Sequence, residues 1–152
     1  MITTFVLAMI GYAGLSGMMI WAYFGRVPTI ARALNLSVVL LHVLMVWHGR
    51  YDWQFAQATR NGPIGFVVFH GALLLLAAAV VCADWLATML VRVAFVIVTF
   101  GALGAVFRYD EVEIYRGPVI AAAAIGGAAL GLTLWGKRHS EERSEPQSPG
   151  PA

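Results

Sequence analysis

Five apolar runs, each about as long as a membrane span, follow one another along the chain, with short polar breaks between them. A spanning helix needs ~20 mostly apolar residues. The runs cover about residues 4–24, 28–48, 63–83, 85–107 and 118–135. The stretch from Pro63 to Phe107 is too long for one crossing. Asp84 beside Trp85 divides it, because an acid next to an interfacial indole marks a turn at the membrane surface. Trp21, Tyr23, Trp47, Tyr51, Trp53, Tyr109, Tyr115 and Trp135 cluster at the ends of the runs. Their rings favour the headgroup zone, being apolar with one polar handle. The pattern predicts an all-α, polytopic integral membrane bundle of five transmembrane helices.

Within the runs, small and polar residues fall on stripes. The last run carries Ala123, Gly127 and Gly131 at four-residue spacing, with Ala122 and Gly126 beside them, and the first carries Gly11, Gly14 and Gly17. Small residues at such spacing let helix backbones approach, so both runs should make tight contacts, within the chain or with other subunits. Tyr12 and Ser16 share a face of the first run, Asn35 and His42 of the second, His70 and Asp84 of the third, and Thr88, Arg92 and Thr99 of the fourth. Polar side chains in membrane helices turn inward. A semi-polar interior lined by the first four helices is therefore expected, with the fifth as a structural wall.

Composition sharpens the membrane assignment. Of 152 residues, 60% are hydrophobic and 12% charged, against ~25% charged in an ordinary soluble domain. Mean hydropathy is +0.76. A soluble chain of this size buries only about 70% of its unfolded surface and could not hide so much apolar area. The net charge of +2, with no basic patch, argues against a nucleic-acid partner. The single cysteine, Cys82, cannot form an intrachain disulfide. The first run lacks a basic leader and is too long for a signal peptide, so it reads as a retained span. Residues 137–152 are polar and rich in Ser and Pro, and are expected to be a disordered tail.

With five spans the termini lie on opposite sides. A cytoplasmic C-terminus in the cell membrane places Arg26, Arg32, Lys137, Arg138 and Arg143 inside, and Arg50, Arg60, Arg108 and Arg116 outside. That is a small positive-inside bias.

Three groups of residues are candidates for chemistry. His42 and His70 lie roughly 10 Å below the same surface on adjacent runs. Two imidazoles at matched depth could hold haem b between them or serve a quinone, as cofactor-binding residues; alternatively, each hydrogen-bonds a neighbouring helix and holds the bundle together. Arg92, with Asn35 at similar depth, could bind an anionic substrate, or the arginine could snorkel to the surface. Asp110, Glu111 and Glu113 could act as catalytic acid and base. A metal site needs more ligands of fixed geometry, and the bland alternative is a compact loop with internally paired charges. The alternation of Val112 and Ile114 with acids suggests a short extended segment. Walker, nucleophile-elbow, zincin and dinucleotide signatures do not occur.

These observations favour a small accessory or assembly subunit of a larger membrane complex. Its partners would be the bilayer and either other subunits or a second copy, through the Gly/Ala faces. A haem b or quinone-linked redox subunit using His42 and His70 is one alternative. A small membrane enzyme acting on a lipid or isoprenoid substrate is another.

Overall fold

The computed structural model describes residues 2–60 and 63–144, without the side chains of Ile2, Lys137 and 140–144. The chain is a multi-pass integral membrane protein, an all-α bundle with, among the described residues, five helices long and apolar enough to span a bilayer. These are α1 (Ile2–Tyr23), α2 (Thr29–Gly49), α4 (Pro63–Val81), α5 (Asp84–Arg108) and α6 (Arg116–Ser144). The shortest has 19 residues, which at ~1.5 Å per residue matches the roughly 30 Å hydrocarbon layer.

The connections are short and chemically specified. Gly25, at φ +110°, takes the left-handed conformation that ends α1, a position where a Cβ is strained. Pro28 then caps α2. Cys82 and Ala83 alone turn α4 into α5, so α4 ends two residues earlier than expected. Asp84 sits in the first turn of α5, where a carboxylate favours the helix dipole. The loop after α2 contains a short helix, α3 (Phe55–Thr59), which hydropathy does not signal.

Two departures concern the last connection and the last helix. Asp110–Tyr115 is a 3-10 helix rather than an extended segment. Val112 and Tyr115 lie three apart and both pack toward the core cluster, the repeat of a 3-10 turn and not of a strand. In α6 the helix begins at Arg116 and runs past Trp135 to Ser144. Residues 145–152, the rest of the expected disordered tail, lie outside the described residues, as do Asn61 and Gly62.

The five spans form a ring in the order α1, α2, α4, α5, α6, and α1 also touches α5 across the middle. Leu15, Met18, Met19, Val91 and Phe95 fill that centre. The centre is mostly apolar, and Ser16, Arg32, Asn35 and Thr88 are polar residues buried among the helices. Polar side chains bond between helices, across the middle as well as around the ring. Tyr12 and Thr99 hydroxyls meet at 2.9 Å, and Ser16 donates to the Ala122 carbonyl at 2.8 Å. The second bond involves α6, which packs extensively on α1 and is more than a peripheral wall.

The small-residue stripes divide. Val119, Ala122 and Ala129 on α6 are buried, and Gly126 with them. A Cβ at Gly126 would overlap the Phe95 ring. Gly127 and Gly131, expected to make a tight contact within the chain or with another subunit, face outward, together with Ala124 and Ala128. Two adjacent stripes compete for the interior, and the one that admits Phe95 takes it.

Candidate functional site

His42 and His70 lie toward the same end of the bundle but engage different neighbours. His42 Nδ1 is 2.7 Å from the Thr4 carbonyl of α1. His70 Nδ1 is 2.9 Å from the Phe66 carbonyl of its own helix, and its Nε2 accepts from the Trp47 indole N–H at 3.2 Å. Trp47 stands five residues after His42 on α2, about 140° further round at ~100° per residue. The two imidazoles therefore address different sides of α2 and do not face each other.

The hydrogen bonds also assign the protons. A carbonyl only accepts, so each neutral ring carries its proton on Nδ1 and leaves Nε2 as an acceptor. For His70 that acceptor is satisfied by Trp47, and the ring stacks on Phe66 at 3.9 Å between centroids. Both ring nitrogens of His70 thus have partners within the protein. His42 Nε2 has no partner within the described residues. His42 lines a cavity of about 230 Å3 with Phe5, Met45, Val46, Arg50 and Tyr51.

Arg92 donates to the Ala22 carbonyl at 2.8 Å, near the C-terminus of α1. A cation at helix-terminal carbonyls is favourable. Asn35 is buried against Gly14, where a Cβ would overlap its side-chain oxygen. No direct hydrogen bond joins Asn35 to Arg92. Arg92 Nε and Asn35 Nδ2 are both buried without a hydrogen-bond partner.

The acidic segment is tied to arginines. Glu113 pairs with Arg116 at 2.6 Å, and Glu111 with Arg50 at 3.6 Å. Arg116 Nε also donates to the Val106 carbonyl at 2.8 Å. Asp110 is exposed on the same turn. The three carboxylates are close in sequence, and two of them serve to join the connection to α2 and α6.

The most organised polar cluster lies at the opposite end and was not foreseen. Arg32 is only 2% exposed, yet it donates to the Ala79 carbonyl at 2.7 Å, to Thr29 at 2.6 Å and to Asp84 at 3.0 Å. It is a buried clamp across α2, α4 and α5. Arg26 reaches the second oxygen of Asp84 at 3.5 Å. Thr88 accepts from the Val27 N–H at 3.4 Å. Asp84, Thr88 and Arg92, one turn apart on α5, thus hold the α1–α2 connection at three points. The available signal was that Asp84 is the one acid between Asp52 and Asp110, in a chain with arginines at 26 and 32.

No protein-family model, curated protein or solved structure matches the chain.

Proposed function

We propose that the protein is a small accessory or assembly subunit of a larger membrane complex, docked through the outer face of α6. The observation that supports this is the outward ridge Ala124, Gly127, Ala128 and Gly131. Small side chains gain little from lipid, but they let a second helix approach to backbone distance. Nothing lies within 4 Å of a Cβ placed at Gly127 or Gly131. Beside the ridge an apolar groove of about 600 Å3 runs between α1 and α6, lined by Val6, Ile10, Ala13, Pro118 and Ile125 among others.

The orientation proposed is C-terminus cytoplasmic, in the cell membrane. Arg92 bonds the α1 C-terminal carbonyl, so it joins Arg26, Arg32, Lys137, Arg138 and Arg143 at that end, against Arg50, Arg60, Arg108 and Arg116 at the other. This enlarges the positive-inside bias.

Native electrophoresis of membranes solubilised in mild detergent tests the subunit reading. The wild-type chain should migrate with other polypeptides, and Gly127→Leu with Gly131→Leu should release it. A wild-type chain found only as a monomer, or only with copies of itself, would contradict the reading.

A further inference from the structure

The two histidines carry the same proton arrangement but meet different fates. Each places its Nδ1 proton on a backbone carbonyl, and so presents Nε2 as an acceptor. In His70 the indole of Trp47 fills that acceptor. In His42 no such partner occurs among the described residues, and the ring lines the cavity between the start of α1 and the end of α2. We infer that this cavity binds the hydroxyl-bearing head of a membrane-soluble amphiphile, its hydroxyl donating to His42 Nε2.

The lining sets the ligand class. Phe5, Met45 and Val46 supply apolar walls, while Arg50 and Tyr51 stand at the polar edge. Arg50 is drawn toward Glu111 at 3.6 Å, which links this edge to the α5–α6 connection. The volume of about 230 Å3 is below the ~300 Å3 at which pockets for drug-sized ligands begin. It suits one ring or one compact headgroup. The position near the membrane surface suits a ligand whose tail remains in the bilayer. A quinol and a diacylglycerol share this chemistry: an O–H donor on an apolar tail. A quinone has carbonyls only, so it offers His42 Nε2 no proton. The inference is therefore one of selectivity for the hydroxyl form, and it is independent of the α6 contact.

The test uses the full-length protein in nanodiscs, with empty nanodiscs as the blank. Retention of three radiolabelled probes is measured: a short-chain quinol, the matching quinone and a short-chain diacylglycerol. At least one hydroxyl probe should bind roughly fivefold or more tightly than the quinone, the worth of one net hydrogen bond. Which one binds identifies the source. His42→Leu should abolish this preference, His42→Gln should retain part of it through its side-chain oxygen, and His70→Leu should leave it unchanged. Met45→Trp, which fills the cavity and spares His42, should block every probe. Equal binding of quinol and quinone, retention unaffected by Met45→Trp, or no binding of any probe would overturn the inference.

Discussion

Arg32 on α2 donates to Asp84 on α5 at 3.0 Å, with 98% of the arginine out of solvent and 51% of the Asp84 side chain still exposed. A buried guanidinium next to a half-solvated carboxylate is an asymmetric pair. Removing the acid strands the buried cation, whereas removing the cation leaves an acid that water and Arg26 can still serve.

Asp84→Asn should therefore destabilise the bundle more than Arg32→Met does. Truncating one partner of a buried ion pair costs ~3–5 kcal/mol. Screening at the exposed oxygen brings the expected loss to about 2–3 kcal/mol. The double variant should recover part of it, since apolar replacement of a buried pair is often close to neutral. Unfolding in mixed micelles gives all three values. Equal losses for the two single variants would show that Arg32 is solvated.

Neighbouring glycines on α6 should respond in opposite ways. Gly126→Ala drives a Cβ into the Phe95 ring, while Gly127→Ala meets nothing within 4 Å. Overpacking costs about 1–3 kcal/mol, so Gly126→Ala should unfold at lower denaturant, and Gly127→Ala should match the wild type. The reverse order would place the other stripe inside.

At Gly25 the backbone φ of +110° is one that only glycine adopts without strain. Gly25→Ala should cost about 1 kcal/mol or more, although no side chain lies within 4 Å of the added carbon. The same micelle unfolding measures it. A silent substitution would mean that the α1–α2 turn relaxes.

An odd number of spans puts the α2–α4 loop and the C-terminus on opposite sides. In a Cys82→Ala background, a cysteine at Gln57 should react with an impermeant reagent added outside intact cells. One at Ser144 should react only after lysis. Labelling of both from one side would remove a span.

The spans themselves were legible because hydropathy is read locally; their ends moved by only a few residues, except that α6 continues nine residues past Trp135 to Ser144. Aromatic anchors and Asp84 marked the α4–α5 turn for the same reason. Arg32 was not legible. It sits two residues after Ile30, near a helix start, where an arginine ordinarily reaches water. Its partners Ala79 and Asp84 are 47 and 52 residues away. The inward face of α6 was ambiguous because two small-residue stripes share one spacing, and only the position of Phe95 chooses between them. The histidines were rightly placed at one end, but their facing could not be read, because it depends on which side of α2 meets α4.

The central claim is that the outward ridge of α6 meets another polypeptide. The most direct measurement is a photo-crosslinking residue placed at Gly131 in the native membrane, with Leu74, an exposed position on α4, as the comparison site. Illumination should give a heavier adduct containing a different polypeptide from position 131 and none from position 74. The claim is contradicted if position 131 yields only lipid adducts, or if both positions yield the same products.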